Sequence, residues 1–223
     1  EVVNIPFFIN GYPVIAIANS AFAGNKTITK VKFLEPMKTI GYAAFSNCTS
    51  LESVELNDRL EKIESYAFSN CTNLKTISIG KGVSFISDTW VNVCYHLEMI
   101  YVDLDNPFYK DQNGVLFDSS GESLLHFPAS NSQTFYVIDH NVKKINYHAF
   151  DSCLQLQYVV IPTSVDVIEY QAFVDASFTI YFEGFQIPKN WHPYAIEHTF
   201  EFILKPNWQE LNPIPYKIVG GIE

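Results

Sequence analysis

The chain is predicted to fold as a repeat solenoid, mainly β, with right-handed coils of about 23 residues, a parallel sheet and an inserted β-hairpin. Three observations predict it. Isoleucines recur at a fixed interval, each is followed by the same apolar residues at the same offsets, and the segments closing each coil alternate in the way a half-buried strand must.

The interval comes first. Ile17, Ile40, Ile63 and Ile86 are separated by 23 residues each, and Ile145 and Ile168 repeat that spacing. Five residues after the isoleucine stand Phe22, Phe45, Phe68, Phe150 and Phe173, four of them in the segments NSAF, GYAAF, ESYAF and NYHAF; the coil after Ile86 departs, with Trp90-Val91. Three residues beyond lie Cys48, Cys71, Cys94 and Cys153, replaced by Asn25 and Ala176 at the two ends. Then come Ile28, Leu51, Leu74, Leu97 and Leu156, followed by Val31, Val54, Ile77, Ile100 and Val159. Val14, Met37, Leu60, Val83, Val142 and Val165 precede the isoleucines by three. One such coil cannot bury its own apolar stripe, whereas stacked coils cover one another and form a continuous core.

The strand follows from LESVELN, LKTISIG and LQYVVIP, where Val54 and Leu56, or Val159 and Ile161, point inward. The Ala-Phe-x-x-Cys segment then turns the chain, the small residue beside the large one suiting a corner where coils nest. On these residues the chain resembles the BspA-like leucine-rich repeat family of cell-surface proteins over roughly residues 5 to 185. INGYPVIAIANSAFAGN is similar to that family's N-terminal coil, and NPFYKDQNGVLFDSSGESLLHFP to its recurrent inserted hairpin. The resemblance implies a cell-surface or secreted protein of a host-associated bacterium with a role in adhesion. Unlike ordinary leucine-rich repeats, the coils carry no Asn ladder after the strand, so the corner must satisfy its backbone groups in another way.

Ile86 and Ile145 lie 59 residues apart, two coils plus 13 residues. The insertion, about residues 103–134, is expected to be a hairpin in which Val115 to Phe117 pair with Leu124 to Phe127 around DSSGES, Gly121 supplying the permissive turn residue. The solenoid is placed at residues 1–185 with an N-terminal capping coil at about 1–34, and residues 186–223, which lose the pattern, are read as a C-terminal cap or linker.

Composition limits function. With 48% apolar residues, 18 Phe and 13 Tyr the chain has ample material for a core, and no apolar run approaches the length of a membrane span. Scattered acidic residues giving a net charge of −10 argue against a nucleic-acid partner. Chemistry is sparse: no paired carboxylates, phosphate loop, nucleophile elbow or Cys-x-x-Cys pair is visible, so neither cofactor nor metal is expected. The four cysteines occupy one coil position and are expected to be a buried stack of free thiols, and His96 beside Cys94 is expected to be a surface residue rather than half of a dyad. Asn25-Lys26-Thr27, Asn47-Cys48-Thr49 and Asn70-Cys71-Thr72 read as glycosylation acceptors, or as corner residues bonding locally to the backbone. Only the group Trp191, His192, Glu197, His198 and Glu201 offers material for an enzyme or a metal site.

The residues flanking the inward position of each strand point outward. They run from Lys30 and Lys32, Ser53 and Glu55, and Thr76 and Ser78 to Met99 and Tyr101, Phe135 and Val137, Tyr158 and Val160, and Thr179 and Tyr181. The first half of the face is polar and the second aromatic. Met99, Tyr101, Phe135, Val137, Tyr158, Val160 and Tyr181 are therefore the expected ligand-binding residues, unless the inserted hairpin folds back over them. The function expected is recognition or adhesion by a monomer that binds a protein or glycan ligand; the alternative is a spacer within a larger surface protein.

Overall fold

A computed structural model describes residues 1–33, 37–195 and 201–204. It is a β-solenoid whose strands fall on two faces. On the front, Val2–Ile5, Lys30–Phe33, Ser53–Glu55, Thr76–Ile79 and Met99–Val102 pair in parallel, in that order. A second front sheet consists of Phe135–Val137, Tyr158–Ile161, Thr179–Phe182 and Glu201–Leu204, again all parallel. Strand Glu201–Leu204 thus carries the sheet past residue 185, and Trp191 is buried against Phe182 with its indole N–H donated to Val165 O. The back is made of two-residue strands closed by the repeated isoleucines, Ala16–Ile17, Thr39–Ile40, Lys62–Ile63 and Phe85–Ile86, in register one coil apart.

The phenylalanines stack on one another from coil to coil. Phe22 stacks on Phe45 at 5.0 Å and Phe45 on Phe68 at 5.6 Å, while Phe150 stacks on Phe173 at 5.1 Å. In the exceptional coil Trp90, in the Ala position, supplies the ring and meets Phe68 edge-on at 6.3 Å. Phe127 is a rung that the repeat alignment passes over: it stacks on Phe150 at 5.3 Å, and Cys153 donates to its carbonyl just as Cys71 donates to Phe45 and Cys94 to Phe68.

The corner replaces the missing Asn ladder with backbone. Phe45, Phe68 and Phe150 donate their N–H groups to Ala67, Trp90 and Ala172 of the next coil, and Asn47 and Asn70 do the same to Ser69 and Asn92. Most corners place two residues at positive φ, whereas the Trp90 corner has only Val93 there. The first site holds Ser20, Ala43, Tyr66, His148 and Gln171, and the second Asn47, Asn70, Val93, Ser152 and Asp175. A β-branched side chain suits that region worst, and Val93 sits there at φ 58° where the two preceding coils have Asn. Val93→Asn is accordingly expected to raise stability by about 1 kcal/mol; an unchanged or lower urea midpoint would show that the corner carries no strain at this residue.

The insertion differs from the expected hairpin. Val115–Asp118 pairs antiparallel with Ser123–His126, as foreseen, but also with Tyr109–Gln112, giving a three-stranded meander. Its first turn is Asn113-Gly114, both at positive φ (53° and 81°), the type I′ geometry that a two-residue hairpin prefers. The meander strands join the back sheet, and Tyr101, Phe135 and Val137 on the front face are exposed. Ser123–His126 joins the back sheet, parallel to Lys144–Ile145, which pairs in turn with Val167–Ile168.

Val115, Leu116 and Phe117 are all buried because this strand separates two cores. Leu116 packs with the N-terminal coils, Val115 and Phe117 with the C-terminal ones. A strand covered on both faces reads as a continuous apolar run, which is what Val115-Leu116-Phe117 is.

Candidate recognition surface

The front face is polar at its N-terminal end and aromatic toward its C-terminal end. Lys30 and Glu55, on adjacent strands, form an ion pair across it. Among the expected binding residues, Tyr101, Phe135 and Val137 are exposed (46%, 48% and 39%). Met99, Tyr158 and Tyr181 are half-buried. Phe135 stacks on Tyr158 at 5.3 Å, and Tyr158 meets Tyr181 edge-on at 5.7 Å, so part of each ring is covered by its neighbour one coil away.

Val160 corrects the expectation. It stands between Val137 and Tyr181 in register, but is fully buried, in a small cluster with Ile203, Tyr158 and Tyr181. Alternation fixes the side of the sheet to which a residue belongs; the size of its neighbours decides whether water reaches it. Val160 is therefore support beneath the aromatic row rather than part of an accessible surface.

Among the described residues the two front sheets do not join. The Asn113-Gly114 turn reaches the edge of the first, where Gly114 O accepts the N–H of Ile100 at 3.0 Å and the Asp111 carboxylate accepts that of Val102 at 2.9 Å. Gly114 takes the left-handed φ that favours glycine, and a Cβ there would fall 2.6 Å from Met99 Sδ, so the Met99 side chain would have to shift. Asn131 Nδ2 donates to Asn113 O on the other side. Two cavities share this seam, one of about 400 Å3 along Gln112, Asn113, Gln133 and residues 135 to 140, the other of about 370 Å3 between Met99, Asn113 and Gln133.

On the corner side the seam is held by a polar cluster that sequence reading does not single out. Asp151 Oδ2 accepts the N–H of Val93 at 3.1 Å and lies 3.4 Å from His148 Nδ1; Asp151 Oδ1 accepts from Ser152 Oγ at 2.6 Å. Asn92 Nδ2 contacts His148 Nδ1 at 3.1 Å, and His148 Nε2 lies 3.3 Å from Gln171 Oε1. Burial pushes the Asp151 carboxyl upward, but His148, Ser152 and the Val93 N–H together hold it below its ordinary value. Burial also drives buried His126 in the opposite sense for a base, down to about 4, with Asp151 opposing and His148 adding to the effect.

Among the described residues the remaining candidates show no assembled chemistry. All four cysteines are free and buried, and desolvation raises each thiol, Cys94 to about 12, so thiolate is suppressed. Cys94 donates to Phe68 O whereas exposed His96 bonds to Thr72 O, so the two make no dyad. Asn25 Oδ1 accepts from the N–H groups of Thr27 and Ile28, the local corner bonding foreseen. Trp191 is core, and His192 packs edge-on against Tyr170 and accepts from Tyr194 N–H. Glu197, His198 and the Glu201 side chain lie outside the described residues. Among the described residues no group of three or more His, Cys, Asp or Glu could hold a metal ion, and no helix is long and apolar enough to cross a membrane.

Fold and surface together define a leucine-rich-repeat solenoid, a scaffold whose accessible feature is one face of a sheet. The chain belongs to the family with the BspA type leucine rich repeat region, six copies of which match residues 4–111 and 126–193. The gap between the two matched segments falls on the insertion. No curated protein matches the chain.

Among solved structures it is similar to a leucine-rich repeat protein from Eubacterium ventriosum, with TM-score 0.66 and 23% identity over 90% of this chain and 55% of that one. It is also similar to the pneumococcal vaccine antigen PcpA, with TM-score 0.60 and 20% identity over 86% of this chain and 51% of that one. A leucine rich cell surface protein from Faecalibacterium prausnitzii matches with TM-score 0.50 and 19% identity, over 85% and 70% of the two chains. The chain spans about half the length of the first two. These likenesses concern the fold.

Proposed function

We propose that this chain is a cell-surface or secreted recognition module that acts as a monomer, binds a host or matrix protein or a glycan through the C-terminal part of its front sheet, and carries out no catalysis. The observation that carries this reading is the exposed apolar set Tyr101, Phe135 and Val137 around a seam with two cavities, in a face whose N-terminal end is polar. Large apolar side chains held on a rigid sheet and left in water are characteristic of contact sites, where aromatic anchors dominate binding. Two of the similar solved proteins are described as a cell surface protein and a vaccine antigen, which supports a surface location.

The test is the double variant Tyr101→Ala, Phe135→Ala on an array of matrix proteins and glycans. It is expected to lose at least about tenfold in affinity for whatever the parent binds, since each anchor is worth about 1–2 kcal/mol. Unaltered binding to every captured ligand would remove this face from the function. The N-terminal half favours a second role for that half, as a spacer, because the Lys30 and Glu55 charges on its face pair with each other rather than standing ready for a ligand.

A further inference from the structure

The seam leaves one strand with an unused edge. Phe135–Val137 pairs only with Tyr158–Ile161 among the described residues. The direction of its backbone groups follows from two bonds on that paired side: Thr134 O accepts from Gln157 N at 2.7 Å, and Ile138 N–H is donated to Val160 O at 3.0 Å. Peptide groups alternate along a strand, so the N–H and C=O of Phe135 and of Val137 point the opposite way, into the seam. Among the described residues nothing bonds to them there. The facing edge is different. Ile100 and Val102 have their N–H groups taken by Gly114 O and the Asp111 carboxylate, so the turn that keeps the two sheets apart closes one edge and leaves the other open.

What could occupy the open edge is set by its chemistry. Two donors and two acceptors alternate at strand spacing beside a cavity of about 400 Å3 whose far wall carries the amide side chains of Gln112 and Asn113. The ligand whose own groups match that series is an extended polypeptide backbone; a sugar or a compact side chain has no such alternation. Unpaired edges are the usual templates for strand addition, and proteins generally cover or charge them. Here the strand instead presents exposed Phe135 and Val137, which give alternate side chains of an added strand an apolar contact. Exposed Asp139 at the far end of the same cavity, in a chain of net charge −10, favours a cationic residue in the incoming segment.

We propose that the seam edge of Phe135–Val137 is a docking site for an extended, Lys- or Arg-containing peptide segment of a protein partner, which adds to the second front sheet as a strand. This rests on the reading above that the surface recognises a ligand, and selects protein over glycan at this edge.

The intact chain is panned against a displayed library of random peptides about ten residues long, enough to run the edge at ~3.3 Å per residue. Selected peptides are synthesised and titrated by fluorescence anisotropy. Two measurements then decide. N-methylation of the peptide backbone, one position at a time, is expected to weaken binding about tenfold or more at every second residue and to be tolerated between them, since each loss removes a backbone hydrogen bond. Val137→Pro, which deletes the seam-side N–H at an edge position where proline is tolerated, is expected to weaken the same peptides by a similar factor. The N-methyl pattern is read on the parent chain and so stands even if the proline variant misfolds.

Failure to recover any binder, or binders without the two-residue period, would overturn the proposal. So would a concentration-dependent dimer abolished by Val137→Pro, which would assign the edge to a second copy of the chain. Binders insensitive to Val137→Pro but lost in the Tyr101→Ala, Phe135→Ala variant would overturn the edge site and leave face recognition standing.

Discussion

Phe150→Ala is expected to cost about 3–5 kcal/mol of unfolding free energy, the range for emptying a fully enclosed phenylalanine site. Phe150 is completely buried, stacked between Phe127 at 5.3 Å and Phe173 at 5.1 Å and touched edge-on by Phe178 at 6.1 Å. Its neighbours cannot collapse into the space, because their backbones are fixed by the intercoil bonds Phe127 N to Ala149 O and Phe150 N to Ala172 O. The cavity term should therefore be near its maximum. Phe22 is the control. It occupies the same coil position but is only half-buried, with one stacked neighbour, Phe45, at 5.0 Å, so Phe22→Ala is expected to cost about 1–2 kcal/mol. Urea unfolding at constant m value measures both. Equal losses at the two positions would mean that the ladder is not the packing unit of the solenoid.

That contrast also shows what the sequence could and could not disclose. The coil was legible because each rung recurs at the same offset, and burying one rung against the next requires that regularity. Phe127 lies 23 residues before Phe150 and is a true rung, yet its coil reaches it from Leu124, which pairs with Ile145, in three residues where other coils take five. A search for Ile and Ala-Phe together passes over it. The meander's first strand lies outside the repeat for a different reason: Asn113-Gly114 is itself a strong two-residue hairpin signal, as is Asn10-Gly11 between Phe8–Ile9 and Tyr12–Pro13, but the 23-residue period has no place for either.

The front face was legible only as a direction. Val160 points to the predicted side and is nonetheless buried, because enclosure depends on Val137, Tyr181 and Ile203 from other coils as well as on Tyr158 of its own strand. The seam cluster did leave a trace. Asp151 follows the ladder phenylalanine at a site where Ser46 and Ser69 stand in regular coils, and a charge at an otherwise small, neutral buried position calls for partners that only the folded chain supplies.

Those partners make stability depend on pH. His126 is fully enclosed beside Asp151 and His148, and desolvation lowers it from 6.5 to about 4. The sign follows from comparing proton uptake in the two states. Above pH 6.5 the imidazole is neutral whether the chain is folded or unfolded and costs nothing. As pH falls through 6.5 the unfolded chain takes up a proton that the folded chain refuses until about 4, so folding stability declines across that window and levels off below it. A shift of this size corresponds to about 3 kcal/mol.

Asp151 acts lower on the scale: its carboxyl is held below the ordinary 3.8, so its contribution is present above that value and is lost only as pH falls further. The two groups therefore separate on the pH axis. Urea midpoints between pH 7 and 4 should fall steadily for the parent and stay nearly level for His126→Gln, which cannot titrate, whatever that variant costs at pH 7. A parent curve that is flat from 7 to 4, or a His126→Gln curve with the same slope, would place the acid sensitivity of the seam elsewhere.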